Sequence, residues 1–157
     1  MSFTAKDVQA LRQSSGAGMM DCKKALESTN GDMDAAKQWL REKGLAASAK
    51  RDDRESTQGV VALSIDCPKA AIVKLKCETD FVAKNESFKS FCEDMARKLV
   101  ANPGVDLEPD RVTIVAKMGE NIKIARHQHL EVSGSGLIAA YIHVGDKIGV
   151  LLELGAA

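Results

Sequence analysis

The sequence predicts an α+β protein: a three-helix bundle at the N-terminus, then a mixed α/β core with two related hairpin halves. Three observations predict it. The apolar period changes from helical to strand-like after Gly59. The stretch Gly59-Val60-Val61-Ala62-Leu63-Ser64-Ile65 returns 77 residues later as Gly136-Leu137-Ile138-Ala139-Ala140-Tyr141-Ile142. An amphipathic helix pattern follows the first copy. The expected boundaries are residues 1–45 for a helical docking module, 46–58 for a charged linker, and 59–157 for the core. Within the core, 59–102 and 111–157 form the two halves.

The first helix starts at Thr4, a good N-cap, with Asp7 well placed near its positive end. Val8 and Leu11 share a face, and Ser14-Ser15-Gly16-Ala17-Gly18 ends the run. Met19 and Met20 open a second helix with Cys22, Ala25 and Leu26, closed by Asn30-Gly31. Asp32 or Asp34 starts a third through Ala35, Ala36, Trp39 and Leu40. Gly44, after Arg41 and Lys43, is expected to end it as a C′ glycine. Three helices of this size make a marginal core, so docking is a natural use. Met19 and Met20 are a candidate contact patch, since methionine adapts to irregular surfaces. At least one of them is equally expected to fill the bundle core. Lys50, Arg51, Asp52, Asp53, Arg54 and Glu55 mix both signs of charge and predict a solvated linker, helical or not.

In the core, Val60 to Ile65 and Ala70 to Cys77 predict a hairpin turning at Cys67-Pro68-Lys69. Asn85 then caps a helix whose stripe is Phe88, Phe91, Cys92, Met95 and Leu99, ended by Asn102-Pro103-Gly104. Arg111 to Met118 predicts a short helix stopped by Gly119, and Ile122 and Ile124 begin an extended run towards Val132. The second hairpin is expected to turn at Gly145-Asp146, with Val73 matching Val150 and Leu75 matching Leu152. The first hairpin has a helix to cover it. The second reaches Leu154 and stops at Gly155-Ala156-Ala157, where its helix should begin. The expectation is an incomplete chain, or another surface that supplies the layer, with Val150, Leu152 and Leu154 exposed and the chain prone to associate.

Composition excludes several classes. Lys and Arg number 22 against 22 Asp and Glu, so no overall basic footprint points to nucleic acid. Aromatics are 4%, too few for base-stacking platforms. No apolar run is long enough to span a membrane, and Met1-Ser2-Phe3-Thr4-Ala5-Lys6-Asp7 lacks the apolar core of a signal peptide. Cys22, Cys67, Cys77 and Cys92 form no CxxC pair, and reduced cytosolic thiols are the default expectation. His127-x-His129 shares a strand face and His143 is a conceivable third zinc ligand, but no acid has a convincing ligand spacing. No phosphate-binding glycine motif and no nucleophile with a recognisable neighbourhood is present. A binding protein is favoured over an enzyme.

The stretch Cys77-Glu78-Thr79-Asp80-Phe81-Val82-Ala83-Lys84-Asn85 joins a strand to a helix, a setting where function concentrates. An acid beside a large apolar side chain is a poor pair to bury and a good one to present to a partner. Two readings stand. Phe81 inserts into another protein, or it tucks under its own helix while Asp80 closes a local turn.

Three segments together resemble the bacterial translation elongation factor Ts family, and the resemblance covers essentially all 157 residues. They are Ser15-Gly16-Ala17-Gly18-Met19-Met20-Asp21-Cys22-Lys23-Lys24-Ala25-Leu26, the run Cys77 to Asn85, and Gly119-Glu120-Asn121-Ile122. Family members often have threonine at the position of Ser15. The resemblance implies a guanine nucleotide exchange factor for the GTPase elongation factor Tu. It implies a ubiquitin-associated-like N-terminal bundle and a core of two similar halves. It implies that Thr79, Asp80, Phe81 and Val82 form the motif that intrudes beside the partner's magnesium site. Arg12, Met19, Met20 and His143 are implied as further partner contacts. A cytoplasmic protein is implied, with no cofactor of its own and no membrane or direct nucleic-acid partner. Family members continue well past this length, so full exchange by this chain alone is in question. A docking scaffold without exchange activity is the alternative, and a histidine metal site is a distant third.

Overall fold

The computed structural model describes residues 3–155. Met1 and Ser2 lie outside the described residues, as do Ala156 and Ala157, where the sequence repeat stops. In chain order the elements are α1 (Ala5–Ser15), α2 (Met19–Ser28), α3 (Met33–Ala49), β1 (Gln58–Asp66), β2 (Lys69–Cys77), α4 (Asp80–Ala83), α5 (Glu86–Ala101), α6 (Glu108–Met118), β3 (Lys123–Glu131), β4 (Gly136–Ile142) and β5 (Gly149–Gly155). They form two units: Met1–Asp53 with Glu108–Glu120, and Arg54–Leu107 with Asn121–Ala157. The expected α+β class, with three helices followed by related hairpins, is what the chain adopts.

In the helical unit, Thr4 caps α1 through a reciprocal pair of bonds. Its hydroxyl accepts from the Asp7 amide (3.4 Å), and Asp7 Oδ2 accepts from the Thr4 amide (2.7 Å). Gly16 ends α1 at φ +68°, a conformation glycine adopts without a Cβ penalty. Asp32 caps α3 by accepting from the amides of Asp34 and Ala35. Val8, Leu11, Cys22, Ala25, Leu26 and Ala36 form the core. Lys43 pairs with Asp21 (2.6 Å) and lies over the Trp39 ring, tying α2 to α3.

The expected end of α3 is not where the structure puts it. Gly44 does not end α3, which runs on through Ala49. Gly44 is buried because α6 packs against it: a Cβ there would sit 3.3 Å from Val112 Cγ1. Residues 46–49 of the expected linker continue α3, one of the two forms expected of it. Ser48 is buried and its hydroxyl accepts from Arg111 Nη2 (3.0 Å). α6 was expected to open the second half of the core; it groups with the N-terminal helices instead. Isolated helix patterns do not state which layer they cover.

In the second unit, β1, β2 and β3 form an antiparallel sheet in that order. One face, carrying Val60, Ala62, Ala71, Val73 and Leu75, is buried with Phe88, Cys92, Met95 and Leu99 of α5. Burial pushes the Cys92 thiol up to about 12, so it is an inert core group. β4 and β5 form a separate two-stranded sheet. Its connection contains Gly145 and Asp146, both at positive φ, as the sequence predicted for the turn.

The repeat is real but not rigid. Val60 pairs with Leu75 in the first hairpin, and its counterpart Leu137 pairs with Leu154 in the second. The offset is 77 before the turn and 79 after it, so the second turn is two residues longer. Val73 thus corresponds to Leu152, and Leu75 to Leu154, correcting the uniform alignment. An even shift keeps each apolar set on its face. Where α5 covers the first hairpin, the matching face of the second, with Leu137, Ala139, Tyr141, Val150, Leu152 and Leu154, is exposed. Val150, Leu152 and Leu154 were expected on an open face, and the structure places them there.

The turn end of the second hairpin docks on the first. The Val61 amide donates to the Asp146 carbonyl (2.7 Å), Lys89 of α5 pairs with Asp146 (2.8 Å), and Lys147 donates to Gln58 (2.6 Å). Gly149 allows the approach: a Cβ there would lie 2.6 Å from Val61 Cγ1 and 2.9 Å from Ile72 Cδ1. Gly149→Ala should therefore lower the urea midpoint, at a cost of about 1–3 kcal/mol for overpacking. An unchanged midpoint would show that the hairpin does not need this contact.

Candidate functional site

The segment after β2 is not an open loop. Thr79 turns the chain into a single helical turn, its hydroxyl accepting from the Val82 amide (3.3 Å). Ala83 is buried and seats the turn. Asn85 then caps α5, its Oδ1 accepting from the amides of Ser87 (2.9 Å) and Phe88 (3.3 Å). Phe88 is fully buried at the start of α5. The motif is thus held at both ends.

Phe81 is 81% exposed. The reading in which it tucks under its own helix is overturned. The capped turn leaves position 81 facing water while Ala83 takes the inner face. Asp80 does serve the local structure: its Oδ2 accepts from Lys84 Nζ at 2.8 Å, one helical turn on. That bond, then the charge of Lys84, holds the Asp80 carboxyl below the usual aspartate range. For a depressed acid, the pair is fully present above the ordinary carboxylate value and is lost as pH falls through the lower folded value.

The floor of the motif is a buried polar network within the same unit. Asn121 is fully buried. Its amide N–H donates to Glu78 Oε1 (2.6 Å), its Nδ2 donates to the Arg54 carbonyl (2.7 Å), and its carbonyl accepts from Ser56 Oγ (2.9 Å). Arg54 Nη1 lies 3.6 Å from Glu78 Oε1. The carboxylate one residue before Thr79 is therefore fixed from outside its own strand. Sequence reasoning marked Glu78 and Asn121 as parts of distinctive segments but gave neither a role. Their separation of 43 residues hid the contact.

The other expected site residues divide between the units. Arg12 is exposed in the last turn of α1, and Met19 (44% exposed) and Met20 (62%) open α2. Neither methionine fills the core; Cys22, Ala25 and Leu26 do. His143 is exposed at the turn end of the second hairpin, with its Nδ1 3.0 Å from the Tyr141 hydroxyl. The structure brings Thr79, Asp80, Phe81 and Val82 together on one turn, with His143 in the same unit. His127 and His129 share a face of β3, opposite Val73 and Ala71, and His143 belongs to the other hairpin. Among the described residues no group of three His, Cys, Asp or Glu is placed to hold a metal ion. No helix of the described residues is long and apolar enough to cross a membrane.

A family model described as Elongation factor TS matches residues 78–157, half of the chain and all of the motif. The chain belongs to the elongation factor Ts family. Elongation factor Ts of Clostridium perfringens is 47% identical over 97% of this chain and 55% of that protein. The protein of that name from Symbiobacterium thermophilum is 44% identical over 99% of this chain and 54% of its own length. That from Thioalkalivibrio sulfidiphilus is 41% identical, over 98% and 57%. The chain spans about half the length of the curated relatives it matches.

Two measurements test this geometry. Glu78→Ala removes the acceptor of the buried Asn121 backbone N–H, so it should cost about 1–3 kcal/mol and should speed hydrogen exchange at the Val82 and Ala83 amides. Unchanged exchange there would show that the network does not brace the motif. Lys84→Ala should raise the Asp80 midpoint, followed by carboxyl NMR, towards the ordinary aspartate value; no movement would remove Lys84 as the cause.

Proposed function

We propose that this chain is a guanine nucleotide exchange factor, acting on the GTPase elongation factor Tu. The observation that carries the reading is Phe81, exposed on a braced one-turn helix within the family motif. An apolar ring held out on a rigid support binds a partner at low entropic cost, because little is left to order. No bond in either protein need be broken. A GTPase holds its nucleotide through phosphate contacts and Mg²⁺. A protein that binds the nucleotide-free state more tightly than the loaded state weakens nucleotide binding by the same factor.

In this mechanism Phe81 wedges into the partner beside its magnesium site, and Asp80 disturbs the surroundings of that metal. Thr79 and Val82 hold the turn that presents them. His143, on the hairpin docked to β1, extends the contact. Arg12, Met19 and Met20 give a second surface on the helical unit, where exposed methionines fit an uneven partner.

The deciding experiment is release of labelled GDP from elongation factor Tu, with and without this chain. The expected result is faster release that is reduced by Phe81→Ala. That substitution should leave stability within about 0.5 kcal/mol, as for exposed sites generally. Binding without acceleration would favour the alternative, a docking module that has no exchange activity in this form.

A further inference from the structure

The outward face of the β1–β2–β3 sheet gathers positive charge that the fold does not neutralise. Lys74 stands directly opposite Arg126, and Lys76 directly opposite Lys123. Like charges at opposed positions of an antiparallel pair destabilise it. Arg126 and Lys123 are three residues apart, so strict alternation would send them to opposite faces. A bulge at Ala125, where the register shifts between Lys74 and Leu75, returns both to the same face. Among the described residues no ion pair reaches any of these four side chains. The acids at the two ends of β2 and β3 are already engaged, Glu78 with Arg54 and Glu131 with Lys69.

This charge borders a cavity rather than a flat surface. The cavity measures about 460 Å³ and lies between the sheet and the docked second hairpin. Lys74, Arg126 and Lys147 line it, over a floor that includes Val61, Ile72 and Leu151. The volume falls within the roughly 300–1,000 Å³ of small-molecule sites, which pair an apolar lining with a few convergent polar groups. Cations above a low-dielectric floor focus the field on an anion there. Arginine adds a planar fork that matches phosphate oxygens.

We propose that this cavity binds an organic polyphosphate of nucleotide size. Its phosphates meet Lys74, Arg126 and Lys147, and its apolar body rests on Val61, Ile72 and Leu151. Lys76 and Lys123, the next pair along the same face of the sheet, add to the field without lining the cavity. A nucleic-acid strand fits less well, since the described face has no aromatic platform for stacking. An acidic peptide would leave the apolar floor unused. None of the site's residues belongs to the Thr79–Val82 motif, although the charge of Lys147 also acts on the Asp80 carboxylate.

Calorimetric titration of the full chain with ATP, and separately with inorganic tripolyphosphate, tests this. Saturable one-to-one binding of ATP is expected, weakening as salt rises. The double variant Lys74→Ala, Arg126→Ala should lose at least tenfold in affinity. It should melt no lower than the parent, because a like-charge opposition is removed. Leu151→Ala should weaken ATP and leave tripolyphosphate unchanged, and Lys23→Ala on the helical unit should change neither. Absence of saturable binding at millimolar ATP would overturn the proposal. So would undiminished binding by the double variant, or displacement of ATP by a lower concentration of a short RNA or a polyglutamate peptide.

Discussion

The second unit depends on the seam between α5 and the inner face of the β1–β2 hairpin. Phe88, Cys92, Met95 and Leu99 close over Val60, Ala62, Val73 and Leu75, and each large side chain is nearly or fully removed from water. Burial on this scale contributes about 1.5–3 kcal/mol per large side chain. The seam fixes the distance between the end of β2 and the start of α5. That distance is bridged by the Thr79 turn, so the position of Phe81 is set by packing that does not include Phe81. The same helix supplies Lys89, which holds Asp146 and hence the docked turn of the second hairpin. The exposed ring of Phe81 is thereby supported on two sides by a core that does not include it.

Much of this was legible in the residues. The capping of α1 by Thr4, the stripe of α5 and the turn at Gly145-Asp146 follow from local rules of hydrogen bonding, period and backbone sterics. The exposure of Phe81 was not legible, because a strand-to-helix segment with one apolar ring suits either a core plug or a projecting wedge. Tertiary packing decides between them, and here Ala83 takes the inward position. Gly44 misled for a related reason. A glycine after basic residues signals a helix end only if nothing else needs its missing side chain, and α6 needs it. The partnership of Asn121 with Glu78 was beyond reach, since no local pattern reports a hydrogen bond across 43 residues.

The sheet shows two faces with opposite demands. Its inner face is covered over β1 and β2 by one helix. Its outer face combines aliphatic residues with crowded cations, and the bulge at Ala125 enforces the crowding while it keeps Ile124 opposite Leu75 on the inner side. One inserted residue thus serves the core and the surface together. The second hairpin closes onto this face most tightly at Gly149, where there is no room for a side chain, and the cavity lies beside that contact.

The two-residue difference between the hairpin turns carries a rule about how such a pair of copies is free to diverge. Strand faces alternate, so length changes in a turn are sorted by parity. Two extra residues between β4 and β5 leave Leu152 and Leu154 beside Ala139 and Leu137, and the copy remains a recognisable hairpin. One extra residue would have turned Leu151 and Glu153 to that face and placed a carboxylate among leucines. An even change in turn length preserves the faces in this architecture, and an odd one does not. Here the lengthened turn contains Asp146 and Lys147, the side chains that fasten one copy to the other.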